Sequence, residues 1–203
     1  MQPGNRLSSG LIEYGGVMEK KVLVVLADGF EEIEAISPID VLKRAGASVT
    51  LAALEKYPGL KVRGSHDVWF QCDALLDDVK DDCFDAIVFP GGMPGASNLG
   101  GSQAVRKLIL DTFGRGDLVC AICASPAYVL GPTGILEGRK ATCYPGCESA
   151  SPSTKFIRER AVRDGNVITS AGPGSAIEFG LLIAEALFGK QTSERLFSGM
   201  ICK

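Results

Sequence analysis

Residues Lys21–Ala27 read KVLVVLA, an unbroken apolar run with no polar alternation. A strand of that kind offers no face to water, so it belongs inside a sheet covered on both sides, as parallel strands are. The pattern recurs. Ser48–Leu54 reads as a second strand, Ala86–Pro90 (AIVFP) as a third and Leu118–Ile122 as a fourth. Helix-period stretches lie between them at Ile33–Ala45, closed by Gly46, and at Gln103–Phe113. Val62–Cys72 alternates loosely, as a short hairpin does. Lys140–Cys143 and Arg160–Ser170 read as further strands, the latter turning at Asp164-Gly165. Ser175–Phe188 is a strongly apolar helix closed by Gly189. Strands alternating with helices predict an α/β fold, doubly wound, with a mostly parallel sheet and helices on both faces.

At 203 residues the chain fits one domain with a sizeable core. Residues 1–17 are Gly-, Ser- and polar-rich without a period and read as a loose extension, leaving residues 18–203 as the domain; Met18 would serve equally well as a start. A net charge of −3 and a pI near 5.3 give no support to nucleic-acid or anionic-membrane partners. No apolar run approaches the length needed to span a bilayer. The first residues lack the charged-then-apolar pattern of a secretory signal. Seven cysteines, an odd number without close regular spacing, do not read as a disulfide framework, which points to a reducing compartment, the cytoplasm. The single histidine, His66, excludes most histidine-rich metal sites and leaves at most one imidazole base.

In sheets of this kind ligands sit beyond the carboxyl ends of the strands. Ala27-Asp28-Gly29, Gly91-Gly92 and Cys123 all fall at such ends. Gly116–Leu130 reads GDLVCAICASPAYVL, a strand that stops at Cys123 before Ala124, Ser125 and Pro126 open a helix. A sharp strand-to-helix turn there would lift the side chain clear of the sheet. The helix dipole and unpaired N–H groups would favour a thiolate. It is the cysteine counterpart of the serine elbow of the α/β-hydrolases. The same segment also fits an inert buried cysteine ending a core strand.

Glu34 shares a helical line with Pro38, Val41 and Ala45, and Phe30 lies one turn earlier. A carboxylate in an apolar stripe is costly unless paired, and burial raises its pKa. Beside Cys123 it could share a proton with the thiol and act as general acid and base. Periodicity alone does not separate Glu34 from Glu31 and Glu32, and a helix-start carboxylate is the plainer reading. Gly91-Gly92 could present N–H groups to an oxyanion or could form a plain tight turn, as could Gly172-Pro173-Gly174. Cys120 and Cys123 match C-x-x-C, but residues three apart on a strand point to opposite faces. Cys143 and Cys147 lack a second ligand pair to complete a metal site.

Four ordered stretches carry a resemblance: LADGFEEIEAISPIDVLKRAG, VFPGGMPGASNL, AICASPAYVL and TSAGPGSAIEFGL. Across roughly residues 20–190 the chain resembles the DJ-1-like branch of the ThiJ/PfpI superfamily. The resemblance implies a flavodoxin-like sandwich, usually a homodimer. It implies Cys123 as the reactive elbow cysteine, Glu34 as its carboxylate partner, and the backbone N–H groups of Gly92 and Ala124 as oxyanion donors. Gly91 and Tyr144 would line the substrate pocket. Peptidase-like members carry a histidine directly after the cysteine, where this chain has Ala124. Many DJ-1-like relatives have a more distant histidine before a proline, where this chain has Tyr144-Pro145, and tyrosine is a poor base near neutral pH. His66 falls where relatives often have an arginine near the dimer interface.

The resemblance thus implies a glutathione-independent glyoxalase or deglycase acting on small dicarbonyls through a cysteine hemithioacetal, needing neither metal nor organic cofactor. The alternative is a redox-responsive stress or chaperone-like protein in which Cys123 oxidises to a sulfinate. Thiazole biosynthesis, suggested by the family name, finds no thiazole-phosphate site in the sequence.

Overall fold

The computed structural model describes residues 19–55 and 58–202, so the expected extension over residues 1–17 lies outside the described residues. β1 (Lys21–Leu26) is buried from Val22 onward, as its unbroken apolar run requires. It pairs in parallel with β2 (Ser48–Ala53) on one side and β6 (Ala86–Phe89) on the other. β5 (Ala74–Leu75) extends the β2 edge; β7 (Leu118–Ile122) and β9 (Val167–Ser170) extend the other side, all in parallel. β8 (Ala161–Asp164) closes that edge antiparallel to β9. The seven-stranded order is β5-β2-β1-β6-β7-β9-β8. β3 (Lys61–Arg63) and β4 (Trp69–Gln71) form the separate antiparallel hairpin expected within 62–72.

α1 (Glu32–Ala45) ends at Gly46, whose left-handed φ of 99° lets its N–H reach back to the last carbonyls. Pro38 sits inside this helix. Its missing N–H removes one helical bond, a cost tertiary packing must offset. α1 packs against α5 (Ala176–Phe188), which continues into α6 (Lys190–Gly199). α4 (Gln103–Arg115) lies over β6 and β7, preceded by the short α3 (Gly95–Gly101), while α2 (Leu76–Val79) is a single turn by β2 and β5. No described helix is long and apolar enough to cross a membrane.

Two expectations change. Lys140–Cys143 is not a strand. It makes one isolated bridge, Ala141 to Phe156, because side chains take over the pairing. Thr142 N–H donates to Thr169 Oγ1 at 2.9 Å and its hydroxyl to the Glu159 carbonyl at 2.8 Å. The β8–β9 turn is Gly165-Asn166, one residue later than expected, since Asp164 still pairs with Val167.

The α1–α5 contact is close because Gly180 has no side chain. A Cβ there would lie 3.0 Å from both Pro38 Cα and Val41 Cβ. Gly180→Leu should lower the urea midpoint by an amount equivalent to about 1–3 kcal/mol with an unchanged slope. An unchanged midpoint would show that the two helices are free to move apart.

Candidate active site

The strand order turns back between β1 and β6: the chain fills one side of β1 with β2 and β5, then crosses to the other. The carboxyl ends of β1, β6 and β7 therefore open into the crevice where ligands bind in such sheets. Cys123 follows β7 directly, with φ of +65°, a rare conformation for a residue with a side chain. Such a backbone costs on the order of 1–3 kcal/mol and persists only where neighbours hold it. Here they do. The Cys123 N–H donates to the Ser170 carbonyl at 2.8 Å, and its carbonyl accepts from the Tyr144 N–H at 2.7 Å. Two residues on, the buried Ser125 hydroxyl donates to the Pro90 carbonyl and ties the elbow to the end of β6.

The segment after the elbow is not a regular helix. Pro126–Leu130 form one wide turn, closed by the Gly131 N–H on the Pro126 carbonyl, and a tighter turn over Gly131–Thr133 succeeds it. The donors that lower the Cys123 thiol are the backbone N–H groups of Gly92 and Ala124, the latter at the start of that segment.

Glu34 arrives from α1. Glu31 caps that helix, its Oε2 accepting the Glu34 N–H at 2.7 Å. The helix start and the β6 loop then exchange two bonds: Glu31 N–H to the Gly91 carbonyl at 3.0 Å, and Gly91 N–H to Glu34 Oε2 at 2.9 Å. Gly91 must be glycine, because a Cβ would sit 2.6 Å from both Cys123 Cβ and Glu34 Oε2. Glu34 is 0% exposed, and its Oε1 has no hydrogen-bond partner among the described residues. Burial outweighs the Cys123 thiol and the Gly91 N–H and lifts the carboxyl to about 7.

Cys123 is 8% exposed. Burial pushes its thiol up and the adjacent Glu34 carboxylate pushes it further, while the Gly92 and Ala124 N–H groups pull the other way. The expectation of a thiolate favoured outright is thus corrected while Glu34 is ionised. Once Glu34 holds the proton its charge is gone, and its O–H can donate to sulfur. The two groups titrate as a pair.

The other two glutamates have separate tasks. Glu31 is the cap. Glu32 accepts the His66 N–H at 2.6 Å and faces His66 Nδ1 at 2.7 Å, fastening α1 to the β3–β4 hairpin. Burial opposes the Glu32 carboxylate, but the bonds from His66 and nearby N–H groups leave it below its ordinary value. Glu31, Glu32 and His66 are the described residues whose ligand atoms could gather on a metal, within 4.8 Å of one another. Protein hydrogen bonds already account for all three.

The DJ-1/PfpI family model matches residues 20–186. The Danio rerio "Parkinson disease protein 7 homolog" is 41% identical over 91% of this chain and 98% of its own length. The crystal structure of Drosophila melanogaster DJ-1beta superposes with a TM-score of 0.86 at 40% identity, covering 92% of this chain and 100% of that one. The chain belongs to the DJ-1/PfpI family. The Caenorhabditis elegans "Glutathione-independent glyoxalase DJR-1.2" is 35% identical over 88% of this chain and 94% of its own length. Two Arabidopsis thaliana DJ-1 homologues are matched over only 45% and 47% of theirs, so the chain spans about half of those relatives.

Of the residues marked in this DJ-1/PfpI chain, the structure brings Cys123, Glu34, Gly91, Gly92 and Ala124 together. Tyr144 reaches the elbow through its backbone, and its half-exposed ring lies against Gly172, where a Cβ would be 3.2 Å away. Sequence reasoning passed over the Ser125 tie, the Glu31 cap and Ser170, whose hydroxyl meets that of Ser175 at 2.7 Å. Neither serine carries a pattern that marks its hydroxyl's partner, so only the helix-start position of Glu31 held a usable signal.

A carboxyl raised from its ordinary 4.5 to about 7 binds its proton more tightly folded than unfolded. Its ionisation therefore removes stability as pH climbs through that window, and the loss levels off above it. Glu34→Gln should raise Tm more at pH 8 than at pH 5, the difference being worth up to about 3 kcal/mol. An equal effect at both pH values would show that the carboxyl titrates normally.

Proposed function

We propose that the protein is a glutathione-independent glyoxalase that converts methylglyoxal-like dicarbonyls to hydroxy acids, with deglycase chemistry at the same residues. One observation carries the reading: a thiol on a strained elbow lies against a fully buried carboxyl titrating near 7. With the shared proton on Glu34, the Cys123 thiolate adds to the aldehyde carbon and forms a hemithioacetal. The Gly92 and Ala124 N–H groups support the new oxyanion. Glu34, once ionised, takes the proton from that carbon and returns it to the neighbouring carbon through an enediol. The product is a hydroxyacyl thioester, which water hydrolyses to the hydroxy acid and free Cys123. The name of the Caenorhabditis relative supports this choice.

A Cys–His peptidase has no base here. The chain's one histidine, His66, is engaged by Glu32, and Ala124 follows the cysteine. A second reading, redox sensing at Cys123, draws on the same contacts, since two N–H groups and a protonated Glu34 would also hold a sulfinate. The half-exposed Ile33 and Ile36 on α1 support a homodimer.

Methylglyoxal should be turned over to lactate without added glutathione. Cys123→Ser should abolish turnover, and Glu34→Gln should lower kcat by about 100-fold or more with the fold intact by circular dichroism. A wild-type protein inert toward dicarbonyls, or Glu34→Gln turning over like wild type, would overturn the reading.

A further inference from the structure

A second thiol is tethered beside the elbow. Tyr144, whose N–H holds the Cys123 carbonyl at 2.7 Å, also accepts the Cys147 N–H at 3.0 Å, so the 144–147 turn hangs from the reactive residue. Gly146 reverses the chain within it at φ of +97°, and its N–H is held by Glu148 Oε2 at 2.7 Å. Cys147 is half-buried and packs on the core. Cys143, in the same loop, is buried and lines a cavity of about 390 Å³ with Thr142, Phe156 and Arg160. Burial, then the Glu148 charge and then that of Glu34 raise the Cys147 thiol, and burial, Glu148 and Cys147 raise that of Cys143. With Cys143 lining that cavity, Cys147 is the loop thiol whose turn is tied through Tyr144 to Cys123.

We propose that Cys147 is the resolving thiol of Cys123, trapping its first oxidation product as an intramolecular disulfide. This rests on the reading of Cys123 as the reactive thiol. A hydroperoxide supplies the oxidising equivalents. The Cys123 thiolate attacks one peroxide oxygen, the O–O bond breaks, and the departing oxygen leaves as hydroxide or alkoxide, giving a sulfenic acid. The Cys147 sulfur then attacks the sulfenic sulfur, the S–O bond breaks, and hydroxide leaves with the Cys147 proton as water. Sulfur has lost two electrons, and the peroxide has been reduced. Bond formation needs the two Cα atoms within about 7 Å. Gly146 gives the turn its freedom to close, while the Tyr144 bond keeps it alongside. The disulfide silences the nucleophile but spares it the irreversible sulfinate, and an external dithiol restores both thiols.

The test treats the full chain with two molar equivalents of hydrogen peroxide, blocks free thiols with N-ethylmaleimide and maps peptides without reduction by tandem mass spectrometry. The expected product is a Cys123–Cys147 link about 2 Da lighter than its two peptides. Dithiothreitol should then restore iodoacetamide labelling of Cys123. In Cys147→Ser the link should vanish, Cys123 should gain about 32 Da as sulfinate, and reduction should recover no labelling. Labelling of Cys123 in that variant before peroxide verifies an intact site. A wild-type Cys123 sulfinate beside a reduced Cys147, or a link from Cys123 to Cys143, overturns this inference alone. Cys123 unmodified by peroxide and by iodoacetamide overturns it together with the reading beneath it.

Discussion

The contact between the Glu34 carboxyl and the Cys123 thiol, steadied by the Gly91 N–H, is the point on which the rest of this molecule converges. It joins the start of α1, the loop after β6 and the elbow after β7. A buried carboxyl with a single N–H partner is costly. The surroundings are built to sustain it: Gly91 without a side chain, Glu31 capping the helix that carries Glu34, Ser125 binding the elbow to the β6 end. Loss of any of these would relax the carboxyl toward water and toward its ordinary pKa.

The α/β architecture was legible because strands buried on both faces leave an unmistakable pattern. Lys21–Ala27 and Leu118–Ile122 show no alternation, and the structure places their equivalents at the centre of the sheet. Helix ends were legible where a glycine had to take positive φ, as Gly46 does after α1. Legibility failed where side chains replace the backbone ladder. Lys140–Cys143 has a strand-like composition, yet Thr142 spends its bonding on Thr169 and Glu159. The short α2, α3 and the polar α6 were missed because their stability comes from neighbours rather than from an internal period.

The site divides along the same line. Cys123 stood out because small residues and a proline after a buried strand require a sharp reversal, and its φ of +65° is that reversal. Glu34 did not separate from Glu31 and Glu32 by spacing. Only the family motif singled it out, and the structure supplies the physical distinction: three consecutive tasks, a cap, an anchor for His66 and a buried partner for the thiol. The sequence could not announce that the element after the elbow is one wide turn, because a π-type turn and an α-helix start with the same residues.

That turn changes the electrostatic argument for the thiol. A long helix would lower the Cys123 pKa by itself, independently of any neighbour. Here the sulfur depends on two N–H groups and on whether Glu34 carries the proton. The one histidine, His66, is held by Glu32, and burial moves Glu34, the group beside Cys123, into the range where histidine ordinarily titrates. A carboxyl in that place has a chemical consequence. An imidazole gains a positive charge when it takes the thiol's proton and holds the thiolate as an ion pair. A carboxyl becomes neutral, so the pair keeps a single negative charge wherever the proton sits. Moving the proton between the two groups shifts that one charge without creating a second, so the buried pair never has to hold a separated ion pair in a low-dielectric surrounding.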